Sequence, residues 1–265
     1  MKKLFLPLVL GLTLTACSVK EDRTTCPCLL DVITTGAFAP LGESSSDEWA
    51  LTLTGYAEEG MIIEECFGKE GLRDTLEYPV KKGNVVLMAR LADTERPVSE
   101  RYCLAPLGEQ AARLYACSGR IDASGETVQF TIQPHKQFTA ITLLDDSGTD
   151  RPFDGRTPFV RGRTCGLDLT TLQPVRGAFE CRAEPVDNLP ERGFRIRIPR
   201  QEDSSLELIL EAEDGGGRIR FPIGETLFGQ EFTPADEEMP DYIIWFSSSG
   251  ASVRVSSIIT IRPWE

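Results

Sequence analysis

Eight cysteines and a single histidine are the residues of this chain best suited to covalent or metal chemistry. Thiolates are nucleophiles and soft metal ligands, and imidazole is the common general base and zinc ligand. Cys26-Pro27-Cys28 is the tightest thiol pair, but no second close Cys/His pair follows to complete a zinc site. A Ser-His or Cys-His nucleophile would have to use His135, which stands beside Pro134 with no nucleophile motif around it. The 41 acidic residues could supply a glycosidase pair, yet a surface this rich in carboxylates makes such pairs without function. Asp145-Asp146-Ser147-Gly148 lacks the ligand spacing and bidentate glutamate of a calcium loop, and reads as a turn. These residues imply no catalytic centre, no metal and no cofactor. The expectation is a protein that is not an enzyme.

The thiol with a clear use is Cys17. Lys2 and Lys3 form a short positive region, and Leu4 to Leu14 form an apolar stretch too short to span a bilayer. Leu14-Thr15-Ala16 then places small residues directly before Cys17. Positive start, apolar middle and small-residue cut are the parts of a secretory signal peptide. With a cysteine at the cut, the order resembles the bacterial lipoprotein signal, in which the thiol is acylated and becomes the new N-terminus. Residues 1–16 are therefore expected to be a signal peptide, Cys17 the lipid attachment site, and residues 17–25 a polar lipidated tether. Each acyl chain contributes about 0.8 kcal/mol per buried methylene, so more than one chain gives a durable membrane anchor.

The formal net charge is −13. Such a surface repels phosphate backbones and excludes nucleic acid as a partner. It also repels anionic headgroups, so lipid and not a basic patch must hold the chain at a membrane. Seven cysteines remain beyond Cys17. Export permits disulfides, but an odd number leaves at least one thiol outside a pair.

The elements that would carry any site are strands. Val128, Phe130 and Ile132 alternate with polar neighbours, as do Phe194, Ile196 and Ile198. So do Leu206, Leu208 and Leu210, then Ile219, Phe221 and Ile223, and finally Val253, Val255, Ile259 and Ile261. This period of two marks half-buried strands. Further strands are expected at 28–34, 49–56, 61–67, 84–92, 137–144 and 241–247. Helical periodicity is scarce, with Leu107 to Tyr115 the best short candidate. One apolar face per strand needs a second sheet to cover it, which gives β-sandwiches. About a dozen strands exceeds one seven-stranded sandwich, so the chain divides near Pro134-His135 into 26–134 and 135–265. Gly42 to Glu48 and Asp214 to Gly217 read as loops, with Arg218 starting a strand. Trp49, Trp245 and Trp264 could stack on sugars, although Trp49 and Trp245 lie in strand patterns that favour core packing.

Several of these segments in order resemble a known family. They are the lipobox, Lys20-Glu21-Asp22-Arg23, Cys26-Pro27-Cys28 opening a strand, the Asn84–Ala92 strand and Ala112-Arg113-Leu114-Tyr115-Ala116-Cys117-Ser118. Asp241-Tyr242-Ile243-Ile244, Ile259-Thr260-Ile261 and Trp264 complete the series. The chain is similar to the FimB-like minor fimbrial subunits, anchor lipoproteins of type V fimbriae. The resemblance implies an all-β fold of two tandem transthyretin-like β-sandwich domains, without cofactor or catalysis. It implies a lipid-anchored, surface-exposed place on the outer membrane, and a fimbrial stalk pilin as partner through β-strand pairing. Lys20-Glu21-Asp22 resembles a signal that sends such lipoproteins to the cell exterior. The strand carrying Val253, Val255, Ile259 and Ile261 would either close its own domain or be donated to the pilin. The alternative function is a surface lipoprotein that binds glycan or host protein. In stalk subunits of this family a trypsin-like protease cuts after an arginine beyond the first strand. Here no Lys or Arg falls between Arg23 and Lys69, so the first strand is expected to stay.

Cys17→Ala should move the protein from the membrane fraction to the soluble fraction. Retention on membranes after a high-salt wash would reject the lipid tether.

Overall fold

The computed structural model describes residues 26–42, 49–93, 101–145, 153–186, 193–214, 217–228, 238–246 and 254–257. The N-terminal half holds β1 (Cys28–Ile33), β2 (Trp49–Ala57), β3 (Gly60–Gly68), β4 (Thr75–Val80) and β5 (Asn84–Asp93). It continues with β6 (Tyr102–Leu104), β7 (Leu114–Asp122), β8 (Thr127–Thr131) and β9 (His135–Lys136). The C-terminal half holds β10 (Phe138–Asp145), β11 (Arg156–Asp168), β12 (Gln173–Arg182), β13 (Glu184–Val186) and β14 (Gly193–Pro199). It ends with β15 (Glu207–Ala212), β16 (Arg218–Phe221), the short helix α1 (Ile223–Phe228), β17 (Tyr242–Phe246) and β18 (Arg254–Ser257). The fold is all-β and sandwich-like. Among the described residues no helix is long and apolar enough to cross a membrane.

Among the described residues, four sheets enclose two main cores. The three-stranded sheet β4-β1-β8 and the sheet β3-β2-β5-β7-β9 share the first core, built on Leu30, Val32, Leu51, Leu53, Leu87 and Leu91. Contact between these sheets is close: a Cβ added at Gly119 on β7 would lie 2.3 Å from the Phe130 ring on β8. The sheets β12-β11-β15-β16 and β13-β14-β10-β17-β18 share the second core, built on Ile141, Leu143, Phe153, Phe179, Ile196 and Leu208.

A segment of the N-terminal half crosses to the second pair of sheets. The strap 101–111 lies N-terminal to the division expected at 134, yet β6 pairs with β11 of the C-terminal half. The Ala105 N–H donates to the Cys165 carbonyl at 2.8 Å, and the Gly108 N–H to the Glu180 carbonyl at 2.7 Å. A smaller third core forms at this junction from Met88, Cys103, Leu114, Ala116, Leu167, Leu169 and Leu172. The Leu107–Tyr115 helix is therefore not formed. The backbone N–H groups a helix would use are spent on the second sheets, Gly108 adopts φ +90°, and Leu107 points outward with 70% of its surface exposed.

Polar bonds fix the connector between the halves. Arg200 is 3% exposed, and its guanidinium donates through Nε to Gln137 Oε1 at 2.8 Å. The Arg197 Nε donates to the Ala111 carbonyl at 3.1 Å, and its N–H to Gln110 Oε1 at 2.9 Å. Lys136 Nζ meets Asp241 Oδ1 at 2.5 Å and lies 4.8 Å from the centre of the Phe138 ring. A buried charge is tolerated only with such partners.

Two further readings need correction. Ile223 opens α1 and does not extend the 218–221 strand. Trp245 is half-buried on the face of β17 opposite Tyr242, Ile244 and Phe246, outside the core. Trp49 is buried at 5% exposure and stacks at a tilt on Tyr115, ring centres 5.7 Å apart.

Gly166→Ala tests the strap. A Cβ there would lie 2.2 Å from the Cys103 carbonyl oxygen and 2.9 Å from Leu104 Cα, both backbone atoms. We expect a loss of about 1–3 kcal/mol, read as a melting point lower by several degrees, with faster hydrogen exchange at Ala105. An unchanged exchange rate there would show that β6 does not depend on this close approach.

Candidate strand-exchange site

The first strand occupies the middle of its sheet. β1 pairs antiparallel with β4 from Cys28↔Val80 to Ile33↔Thr75, and parallel with β8 from Leu29↔Thr127 to Ile33↔Thr131. The parallel ladder is bracketed by two bonds: Leu29 N–H to the Glu126 carbonyl at 2.8 Å, and Ile132 N–H to the Ile33 carbonyl at 2.9 Å. Alternation sends Cys28, Leu30 and Val32 inward, each 0% exposed. Leu29 faces out and is 36% exposed. Val80 and Tyr78 on β4, and Val128 and Phe130 on β8, form the walls of this slot, with Leu51, Leu53 and Leu87 in the same core.

Full burial of a Leu or Val side chain contributes about 1.5–3 kcal/mol. Leu30 and Val32 together with both ladders therefore seat β1 firmly. One contact opposes this. Asp31 stands across the β4 ladder from Glu77, and like charges in that position destabilise a pair. Removal of β1 would uncover one edge each of β4 and β8 and the apolar floor between them. This is the geometry that strand exchange requires: free backbone groups for pairing and pockets at every second residue.

The slot has two distinct ends. At the first, Cys28 lies beside the turns around Lys82 and Asp122. At the other, Thr34 donates its N–H to the Asp74 carbonyl at 3.0 Å and its hydroxyl to the Arg73 carbonyl. Ala37 and Phe38 then tuck into the first core. Beyond them opens a cleft of about 970 Å³, lined by Gly36, Pro40, Tyr115, Pro134, His135 and Met239 among others. His135 is thus a half-buried member of β9, paired with Ala116. Among the described residues no group of three or more His, Cys, Asp or Glu is placed to hold a metal.

The other residues singled out in the sequence are spread apart. Cys17 lies outside the described residues, as do Val253, Ile259, Ile261 and Trp264. Val255 sits in β18, where the backbone pairs antiparallel with β17 opposite Ile244. That edge belongs to the second core's sheet, so it is not part of the β1 slot. None of the seven described cysteines is in a disulfide. Burial pushes the Cys117 thiol up to about 11 and the Cys181 thiol up to about 12, which keeps both protonated and unreactive at neutral pH. The slot walls on β4 went unread in the sequence, although Leu76, Tyr78 and Val80 carry the period-two signal.

No protein-family model matches the chain, and no curated protein matches it. Solved structures share its fold. A protein from Bacteroides thetaiotaomicron, named for a suspected polysaccharide-binding role, is 12% identical with a TM-score of 0.61, over 87% of this chain and 96% of that one. The fimbrial anchor protein Mfa2 from Porphyromonas gingivalis is 11% identical with a TM-score of 0.54, over 87% and 95% of the two chains. A suspected adhesin from Bacteroides ovatus is 8% identical with a TM-score of 0.54, over 89% and 94%. At such identities the likeness establishes the arrangement of strands. None of the three is named as an enzyme.

Leu30→Ala should cost about 2–5 kcal/mol, whereas Leu29→Ala on the outer face should cost under about 1 kcal/mol. Denaturant unfolding measures both. Equal losses would mean that the inward face of β1 does not carry its seating.

Proposed function

We propose that this chain is a surface lipoprotein that anchors a fimbrium and ends its polymer by keeping its own first strand. The observation that carries the reading is the state of β1. It is central in its sheet, inward-facing side chains fully buried, and no Lys or Arg falls between Arg23 and Lys69 to allow its release. A stalk subunit of the resembled family opens its groove by losing that strand. Here the groove stays filled, so the chain accepts no donor and pairs with a stalk pilin through another edge. β18 with Val255 is the candidate edge, and Cys17 holds the assembly to the outer membrane. The two cores correspond in this reading to two tandem transthyretin-like domains, 26–134 and 135–265, stitched by the strap. The shared fold with a fimbrial anchor protein supports it.

A second reading, glycan binding, draws on the cleft of about 970 Å³ beyond the C-terminal end of β1 and on the fold shared with a protein of suspected polysaccharide-binding role. Glycan arrays with the soluble protein separate the two.

Limited digestion with an arginine-specific protease and N-terminal sequencing test the anchor reading. The unmodified protein should give no product beginning within 36–51, while Ser45→Arg should lose β1 and become able to accept a donor-strand peptide. A dominant product starting within 36–51 from the unmodified chain would sink the terminator role.

A further inference from the structure

We propose that β1 is a mechanical clamp, loaded in shear when the chain is pulled from its N-terminal side against its C-terminal half. The argument starts from where the strand ends lie. The N-terminal end of β1 sits beside the turns at 81–83 and 123–126, where Leu29 N–H meets the Glu126 carbonyl. Its other end leads into Thr35, Gly36, Ala39 and Pro40, which face His135, Lys136 and Asp241 across the cleft. The C-terminal half therefore lies beyond the end of β1 opposite to the tether.

The chain itself passes to that half at this end, while Met88 and Ser118 add contacts to Leu169 and the Thr170 carbonyl on the outer face of the five-stranded sheet. β8 runs parallel to β1 and continues through Ile132 and Pro134 into β9 and β10. The strap returns at Leu114, the start of β7, which pairs with Ala92 near the end of β5. A pull on the tether drags β1 toward its own N-terminus, while the C-terminal half drags β8 toward its C-terminus. Two parallel strands pulled from opposite ends must slide along each other. All hydrogen bonds of the ladder are then strained together, and none can break first and pass its load to the next. The six-residue register with β4 is strained along the same axis. Pulling both strands from one end would instead open the ladder bond by bond. The inward row Cys28, Leu30 and Val32 adds resistance, because a slide of one residue would turn each of them out of the core.

The pull itself rests on the anchor reading, in which lipid holds one end and a fimbrium the other. The directional strength does not, so the two stand or fall separately. Single-molecule force spectroscopy on the chain from residue 18 onward tests it, with enzymatic coupling tags as handles. One handle precedes Cys26. The second is inserted between Glu213 and Asp214 for shear, or between Ser124 and Gly125 for peeling. A further peeling handle between Lys82 and Gly83 covers the case in which the 124–125 insertion disturbs the fold, and only variants with an unchanged melting point are pulled. Forced unfolding follows the barrier along the direction of pull, so release of β1 in shear should need at least about twice the peeling force. Unfolding of the second core before β1 leaves, at a force above the peeling force, supports the clamp equally. Equal forces in the two geometries, or release of β1 in shear at the peeling force, would overturn it. A directional result alongside a Cys17→Ala protein that stays on membranes would sink the anchor reading and leave the clamp standing.

Discussion

The first core is closed by a strand that arrives from the extreme N-terminal side of the fold and is gripped on both edges. β1 satisfies the inward backbone groups of β4 and β8 at once, and it covers the apolar floor of the opposite sheet with three fully buried side chains. Without it, β4 and β8 would have no ladder between them in this sheet. The large cost of unpaired backbone and uncovered apolar surface makes this one seating the condition for the rest of the N-terminal half. The same seating makes exchange chemically simple, because any strand of matching alternation could satisfy the same groups.

A different kind of bond holds the halves in register. The second sheets recruit the strap by backbone pairing, and buried polar groups finish the junction. Arg200, Gln137 and Lys136 form one set, Arg197, Gln110 and Ala111 another. Such networks demand directional partners and tolerate little rearrangement. The small core around Cys103 and Leu167 contributes apolar contact from both halves. The junction is thus a packed part of the fold and not a flexible hinge between independent beads.

Strands whose alternation is clean are legible in the sequence alone. The 127–133, 194–198 and 206–211 patterns fall on β8, β14 and β15, and the first strand at 28–34 falls on β1. β11 and β12 were not legible, for a physical reason. Their pairing shifts register between Gly162 and Thr164 and again between Thr164 and Gly166, and each shift resets which face a side chain takes. Pro158, Gly162 and Gly166 also weaken the strand signal. The strap misled in the opposite sense: Ala111, Ala112 and Leu114 suit a helix locally, but their surroundings supply better partners. The slot was legible only as a strand, since the identity of its walls depends on which strands become its neighbours, and no local pattern carries that.

The strap also bears on the order in which the molecule can be made. Cys103 pairs with Leu167, and Gly108 with Cys181. A chain delivered N-terminus first therefore presents residues 101–111 long before their partners exist. The first core can collapse around β1, β2 and β5, but it must wait with an open flank bearing Met88, Cys103, Ala105 and Leu114. Long-range pairing of this kind slows folding and leaves apolar surface uncovered meanwhile. Completion of the N-terminal half is thus tied to arrival of the C-terminal half. A prematurely ended chain would be left with a sticky, unfinished face, open to capture by chaperones or by its own kind.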